Sequence, residues 1–126
     1  MTIGIDIEEI NRFKNKSQEF LDRIYTKSEQ EYCLSKTHSA RHFAVRFCAK
    51  EAVIKALNSM GIKHPQLNKI EIYHDENQCP KVRLLEKLSE LNEYDNLIIE
   101  VSLSHDKTKA IAFVTISEKR KAKSKK

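Results

Sequence analysis

A segment from about residue 40 to residue 60 is apolar on almost its whole circumference when it is drawn as an α-helix, with about 100° between successive residues. The apolar positions are Ala44, Phe47, Cys48, Ala49, Ala52, Val53, Ile54, Ala56 and Leu57. A helix that is apolar all round is buried on every side. The segment therefore predicts a long central helix around which the rest of the chain packs. Gly61 favours its termination, because glycine readily takes the left-handed conformation that ends helices.

Two charged residues, Glu51 and Lys55, fall inside this apolar sector. An exposed Glu–Lys pair at this spacing stabilises a helix by about 0.2–0.5 kcal/mol, but a half-buried carboxylate without a partner is costly. Two arrangements remove that cost. Either Lys55 pairs with Glu51 inside the protein, or Glu51 binds a metal ion while Lys55 faces an anion. Periodicity alone does not separate them.

A second notable carboxylate lies near the N-terminus, where residues 3–7 read Ile-Gly-Ile-Asp-Ile. This alternation predicts a β-strand with one apolar face. Asp6 then points to the opposite face, where Gly4 leaves room for another group to approach. The simple alternative for Asp6 is a strand-end or turn residue. Mg²⁺ commonly takes one or two protein carboxylates and completes its coordination with water and phosphate, so Asp6 and Glu51 suit a diphosphate–metal complex.

The remaining segments divide into short helices and strands. Helices are expected over residues 9–23, after the capping box formed by Thr26 and Glu29, and over about 84–93. Strands are expected over 67–74, 81–84, 96–104 and 109–117, the last two as an antiparallel hairpin. Helices and strands do not alternate regularly, so the pattern favours an α+β fold, with an antiparallel sheet packed on the long central helix and shorter helices.

The net charge of +5 is concentrated at the C-terminus of this 126-residue chain. Six of the 23 basic residues lie there, and the other 17 are balanced by 18 acidic residues. They are Lys119, Arg120, Lys121, Lys123, Lys125 and Lys126. We expect one folded domain over residues 1–117 and a basic, disordered tail over 118–126. The alternative is a non-catalytic protein whose tail binds nucleic acid or an acidic partner. Nucleic acid is not favoured, because the tail lacks interleaved aromatic residues.

Other features of the composition favour a cytoplasmic protein without a membrane partner. No apolar run approaches the roughly 20 residues that span a bilayer, and the N-terminal segment lacks a signal-peptide pattern. Cys33, Cys48 and Cys79 are odd in number and have no C-x-x-C spacing, which indicates reduced thiols.

Ser104, His105 and Asp106 follow one another at the end of a predicted strand. They do not form a hydrolase triad, because successive strand residues point to opposite faces. His105 has the chemistry to donate a hydrogen bond to a phosphate or to shuttle a proton. The alternative is a loop histidine without a role, and the residue alone does not decide between them.

Taken together, the motifs resemble those of the holo-acyl-carrier-protein synthases, the small single-domain group of the 4′-phosphopantetheinyl transferase superfamily. The resemblance runs from residue 3 to about residue 116 and rests on the order and spacing of four stretches. They are Gly4–Ile7 with Ile10, Arg23–Thr26 with Glu29, Arg46–Ala52 continuing to Lys55 and Ala56, and Ser102–His105 followed by Ala110 and Ala112.

The resemblance implies a phosphopantetheinyl transferase that moves the 4′-phosphopantetheine arm of CoA to a serine of apo-acyl carrier protein. The reaction would depend on Mg²⁺, release adenosine 3′,5′-bisphosphate and serve fatty acid synthesis. Asp6 and Glu51 would bind the Mg²⁺, and Glu51, Asp6 and Lys55 would be catalytic. The implied contacts to CoA are Arg46, Lys50, Lys55, Pro80, Ser104 and His105.

The resemblance also implies an assembly and a protein partner. It implies a homotrimer with active sites at subunit interfaces. An acidic acyl carrier protein would dock on basic residues of the first helices, namely Arg12, Lys14, Lys16 and Arg23.

This sequence differs from the family pattern at two places. The family usually has Asn-Gly-Lys-Pro where this chain has Asn-Gln-Cys-Pro at 77–80, so the turn loses its glycine. Val45 stands where a small Gly often precedes Arg-Phe.

Overall fold

A computed structural model describes residues 1–85 and 96–119 of the chain. Five strands run from Thr2–Glu9 (β1), Ile70–His74 (β2), Pro80–Leu84 (β3), Leu97–His105 (β4) and Lys109–Glu118 (β5). Three α-helices run from Gln18–Ile24 (α1), Lys27–Leu34 (α2) and Ser39–Ser59 (α3), and short 3₁₀ turns cover Ile10–Phe13 and Leu67–Lys69. The α+β prediction is confirmed by this arrangement. None of the helices in the described part of the chain is long and apolar enough to span a bilayer.

The long helix α3 forms the centre of the core, as the sequence predicts. Most of its small and apolar residues are buried, and those with no exposed area are Ala44, Cys48, Ala49, Ala52, Val53, Ala56 and Leu57. Phe47 and Ile54 are partly buried. The helix ends one residue before Met60, and Gly61 follows with a φ of +74°, the left-handed conformation expected for a helix terminator.

One face of a three-stranded antiparallel sheet, in the order β1–β5–β4, packs against α3. From the central strand β5, the buried side chains Ala110, Ala112, Val114 and Ile116 line that face. From β1, Gly4 faces the helix so closely that an added Cβ would lie 1.8 Å from the carbonyl oxygen of Ala52. Gly4 therefore sets how near β1 and α3 can approach, and Asp6 lies two residues further along the same face.

The isoleucines of β1 lie on the opposite, outer face of this sheet. Ile3, Ile5 and Ile7 are 59%, 53% and 57% exposed. Ile98 of β4 and Phe113 of β5 are also exposed, and Phe113 pairs with Ile5 in the register. We call these five residues the outer sheet face. The predicted alternation of β1 is confirmed, but its apolar side is not the side covered by α3.

A second sheet of two antiparallel strands, β2 and β3, lies on another side of α3. Its turn contains Gln78 with a φ of +63°, so a non-glycine residue takes the left-handed conformation at the position where the resemblance implied a glycine. The side chain of Asp75 accepts hydrogen bonds from the backbone of Asn77 and Cys79, which stabilises the turn.

The capping box is found as predicted, whereas two other predicted segments have different bounds in the structure. The capping box is present: the Thr26 hydroxyl accepts from the backbone of Glu29, whose carboxylate accepts from the backbone of Thr26. The predicted helical segment 9–23 is divided into a strand end, a 3₁₀ turn and α1. Strand β5 extends to Glu118, one residue past the expected domain end. The predicted helix at 84–93 and the tail beyond residue 119 lie almost wholly outside the described residues.

Candidate active site

The structure brings Asp6, Glu51 and Lys55 together where β1 packs against α3. The Asp6 side chain is 13% exposed. Its Oδ1 atom lies 3.4 Å from the ammonium of Lys55, which also donates a hydrogen bond of 2.8 Å to the carbonyl of Ile5. The Oδ2 atom of Asp6 is buried and has no hydrogen-bond partner. Burial and then the nearby charge of Asp6 raise the pKa of the half-buried Glu51. We call the contact region formed by Asp6, Glu51 and Lys55 the acidic seam.

Lys55 differs from its expected position in the apolar sector of the helix. Its side chain is 54% exposed and pairs with Asp6, so the alternative in which Lys55 pairs with Glu51 inside the protein is wrong. The helical wheel gives the direction of the Cβ atom but not the path of the four-carbon chain. That chain extends to β1, where the ammonium contacts Ile5 and Asp6 while much of the side chain stays exposed.

Sequence reasoning missed a third carboxylate of the acidic seam, Glu8. It lies two residues after Asp6 on the same face of β1, and its side chain is 12% exposed. Burial, followed by the proximity of the Asp6 carboxylate, raises the pKa of Glu8 to about 7. The charged form of Glu8 is therefore disfavoured, so excess negative charge at this seam is relieved either by a proton or by a cation. The sequence did indicate Glu8, because residues two apart on a β-strand point to the same face and Glu8 follows Asp6 by two.

The donors of the acidic seam fit a magnesium ion. These metal-donor atoms are hard carboxylate oxygens, and one of them, the buried Oδ2 of Asp6, has no hydrogen-bond partner. Within residues 1–85 and 96–119, no three Asp, Glu, His or Cys side chains are placed to hold a metal ion. Mg²⁺ does not need such a cage, since it usually takes one or two protein carboxylates and fills the other positions with water and substrate phosphate.

A separate cavity of about 190 Å³ contains Arg46, Ser104 and His105. Arg46 is only 3% exposed, and its Nε atom has no hydrogen-bond partner. Its guanidinium carbon lies 4.3 Å from the centre of the Tyr32 ring. No carboxylate in the described part of the chain pairs with it. A buried cation without a counter-charge is unfavourable, so the chemistry of the Arg46 cavity favours an anion.

Two further histidines, His42 and His74, line the Arg46 cavity, although neither was predicted to be a site residue. The Nδ1 atom of His74 lies 3.5 Å from a guanidinium nitrogen of Arg46. Burial and then the charge of Arg46 lower the pKa of both imidazoles. Pro80 opens β3 directly opposite His74 in the register, so it stands beside this cavity.

Lys50 occupies a position that does not fit its expected contact with a phosphate. Its side chain has no exposed area, and its ammonium donates to Glu29 Oε1 at 2.7 Å, to the Leu67 carbonyl at 3.0 Å and to the Ile70 carbonyl. An ammonium has three N–H donors, and all three are used. Glu29 lies 21 positions earlier in the chain, so the helical pattern around Lys50 contained no sign of this partner.

The acidic seam and the Arg46 cavity lie on different sides of the chain. The cavity is lined by residues of α2, α3, β2 and β4, whereas Asp6 belongs to β1. On α3, Arg46 and Glu51 are five residues apart, which separates them by about 140° around the helix axis. Among the residues that the structure describes, the two groups of charge therefore do not line one pocket.

The sequence was compared with known families and proteins. A profile of the 4′-phosphopantetheinyl transferase superfamily matches residues 2–123. The chain belongs to this superfamily. Its similarity to a holo-[acyl-carrier-protein] synthase from Caldicellulosiruptor saccharolyticus, 43% identity over 123 residues, covers 93% of this chain and 95% of that protein. The chain is therefore a member of the holo-acyl-carrier-protein synthases, as the motifs indicated.

Solved structures of holo-acyl-carrier-protein synthases have the same fold. The enzyme from Helicobacter pylori, in complex with coenzyme A, matches with a TM-score of 0.73 and 32% identity, covering 91% of this chain and 99% of that one. The enzyme from Bacillus anthracis, in complex with CoA (3′,5′-ADP), matches with a TM-score of 0.73 and 29% identity over 94% and 96%. The predicted fold, family and enzyme class are confirmed.

Proposed function

We propose that this chain transfers the 4′-phosphopantetheine group of CoA to a serine of an apo-acyl carrier protein, with release of adenosine 3′,5′-bisphosphate. The observation that carries the proposal is the acidic seam, where the buried Oδ2 of Asp6 has no partner and Glu51 lies beside it. Such a site needs a cation, and a pyrophosphate substrate brings the complementary ligands. The CoA complexes of the two related enzymes support the choice of CoA.

The proposed reaction depends on Mg²⁺, which Asp6 and Glu51 would hold and which neutralises the pyrophosphate charge when bound. The serine hydroxyl oxygen attacks the phosphorus that bears the pantetheine arm. The bond from that phosphorus to the oxygen of the departing adenosine bisphosphate breaks, and Glu51 accepts the serine proton directly or through water. Lys55, half-exposed at the edge of the seam, offsets charge on the phosphates.

The nucleotide end of CoA is proposed to bind at the Arg46 cavity. Arg46 is a buried guanidinium in need of an anion, and its donors suit phosphate oxygens. Ser104 and His105 line the same cavity. Pro80 lies at its edge through the pairing with His74. Lys50 is left out of the contacts to CoA, because its ammonium has no free donor.

The carrier protein is proposed to dock beside the acidic seam on four basic residues. All four are exposed, and they are Arg12, Lys14, Lys16 and Arg23. Arg12 forms an ion pair with Glu8, which lies next to Asp6. An acidic carrier that contacts Arg12 would therefore bring its serine close to the catalytic carboxylates, and complementary charge would speed the encounter.

A homotrimer with active sites between subunits is also proposed. The outer sheet face exposes five large apolar side chains on neighbouring strands, and a patch of this kind marks an interface. Within one chain, the acidic seam and the Arg46 cavity lie apart. Assembly of identical chains would let the seam of one subunit meet the Arg46 cavity of its neighbour around one CoA molecule.

Three broader parts of the proposal concern the chain as a whole. Residues 1–117 are proposed to be the single catalytic domain, with 118–126 as a dispensable tail. The enzyme is proposed to act in the cytoplasm, in fatty acid synthesis. The alternative, a non-catalytic basic protein that uses its tail on nucleic acid or an acidic partner, predicts binding that is lost when the chain is truncated after Ser117.

The transfer assay tests the proposal directly. Apo-acyl carrier protein, CoA and Mg²⁺ are incubated with the full chain and with the chain truncated after Ser117. Both should convert the carrier to a form heavier by one phosphopantetheine group. Loss of transfer on truncation would contradict the proposed domain boundary. Failure of the full, folded chain with several carriers would contradict the function itself.

A further inference from the structure

The ion pair between Lys50 and Glu29 is the most completely buried charged contact in the described part of the chain. The two side chains are 0% and 1% exposed. Besides Lys50, the carboxylate of Glu29 accepts the backbone N–H of Thr26 at 2.8 Å through Oε1 and that of Ile72 at 2.9 Å through Oε2. A single carboxylate therefore joins the start of α2, the middle of α3 and the middle of β2.

Residues on both sides of Lys50 belong to the two proposed halves of the active site. Glu51, the next residue of α3, lies near the charge of Asp6 at the acidic seam, where Lys55, one helical turn later, contacts Asp6 at 3.4 Å. Arg46, one helical turn before Lys50, contacts His74 of β2. Ile72, which Glu29 holds, is two residues before His74 and therefore lies on the same face of β2. One buried contact thus connects α3 to the backbone of β2.

We propose that the Lys50–Glu29 pair is a positioning device that fixes the rotation of α3, so that Glu51 faces Asp6 while Arg46 faces the CoA phosphates beside His74. This inference rests on the proposed function and assigns to Lys50 a role other than phosphate binding. Apolar residues of similar volume are often as stable as a buried ion pair. What an apolar pair lacks is direction, since it does not fix the angle of the helix against two backbone groups at once.

The informative substitution is Glu29→Asp, which keeps the charge next to Lys50 but withdraws the carboxylate by one methylene group. The shorter side chain does not reach Lys50, Thr26 and Ile72 together. Glu71→Asp is the matched control. Glu71 also joins α2 to β2, through the hydroxyls of Thr26 and Ser28, but has no hydrogen bond to α3. Both variants are assayed well below their melting temperatures, so that all molecules are folded.

The readouts separate positioning from a purely structural role. We expect Glu29→Asp to raise the KM for CoA and the Mg²⁺ concentration at half-maximal rate, each by about fivefold or more, and to lower kcat. The CoA-bound protein should also bind Mn²⁺ more weakly, as measured from the electron paramagnetic resonance of free Mn²⁺. Glu71→Asp should leave these quantities within about twofold of the wild type. Wild-type values for folded Glu29→Asp, or equal changes in both variants, would overturn the inference.

A second variant covers the case in which Glu29→Asp does not fold. The double substitution Glu29→Gln with Lys50→Met removes both buried charges and keeps similar volumes, and it should change the CoA and Mn²⁺ affinities in the same direction. Wild-type affinities in the folded double variant would overturn the inference. CoA affinity measured by calorimetry does not depend on turnover. A failure of transfer by the wild type, which concerns the proposed function, is thereby distinguished from a failure of this inference.

Discussion

Gly4 lies against the backbone of Ala52, and a Cβ atom at Gly4 would be 1.8 Å from the Ala52 carbonyl oxygen. Thr2 strengthens the same contact, since its hydroxyl donates a hydrogen bond of 2.8 Å to the carbonyl of Ala56. Strand β1 therefore packs directly against the backbone of α3. This packing brings Asp6 close to Glu51, although the two residues lie far apart in the sequence.

The first prediction concerns Gly4→Ala. The added methyl group meets rigid backbone, so α3 must shift, and we expect a loss of about 3 kcal/mol in the free energy of unfolding, the upper range for overpacking. Transfer activity should fall further than stability alone explains, because the separation of Asp6 and Glu51 changes. Denaturant unfolding and initial rates measure the two effects. Gly61→Ala is the control: an added Cβ has free space there, and only the positive φ costs about 1 kcal/mol. Equal activities of the two variants would contradict this account.

The second prediction concerns Arg46→Met. Loss of a charge-assisted contact to phosphate should raise the KM for CoA by about 10–100-fold. The melting temperature should stay the same or rise, because an unpaired buried cation is removed. Arg83→Met is the matched control, since Arg83 also lies over a tyrosine ring, at 4.1 Å, but pairs with Glu71. Its KM for CoA should not change. A wild-type KM for Arg46→Met would exclude the cavity as the CoA site.

The third prediction concerns the pH dependence of stability without divalent metal. The pKa of Glu8 is raised from 4.5 to about 7 in the folded protein, so between these values the folded state binds more protons than the unfolded state. The contribution of Glu8 to stability is therefore present at low pH and is lost as the pH rises from about 4.5 to 7. Glu8→Gln should remove this contribution, so the variant should lose less stability than the wild type over the same range. Melting curves in chelator at several pH values test it, and parallel curves for the two proteins would contradict it.

The fourth prediction concerns the outer sheet face. Ile5→Glu places a charge at its centre, where it should prevent association, so the molar mass measured by light scattering should fall from that of a trimer to that of a monomer. Activity should fall with it if CoA binds between subunits. Leu34→Glu is the control, because Leu34 is a comparably exposed apolar residue of α2 away from this face. A monomeric wild type, or a trimeric and fully active Ile5→Glu, would contradict the proposed assembly.

Local patterns in the sequence were sufficient to predict the elements that depend on local physics. The apolar circumference of α3, the capping box of Thr26 and Glu29 and the hairpin of β4 and β5 are all found in the structure. Each depends on residues close to one another in the chain. The position of Asp6 on the face of β1 opposite the isoleucines is also found, because alternation is a local property.

Features that depend on distant residues were not predictable in this way. Alternation did not tell which face of β1 the helix covers, since Ile3, Ile5 and Ile7 are apolar and yet exposed among the described residues. Lys50 was predicted to contact the phosphates of CoA because the family resemblance implied it. Its actual partner is Glu29 on another helix.

The central claim is that Asp6 and Glu51 act together on one divalent ion, and mass spectrometry of the carrier protein tests it most directly. Apo-carrier, CoA and Mg²⁺ are incubated with the wild type, Asp6→Asn or Glu51→Gln, after circular dichroism has established that each protein is folded. The account predicts a carrier heavier by one phosphopantetheine group with the wild type and an unmodified carrier with either variant. Full modification by folded Asp6→Asn or Glu51→Gln would contradict it.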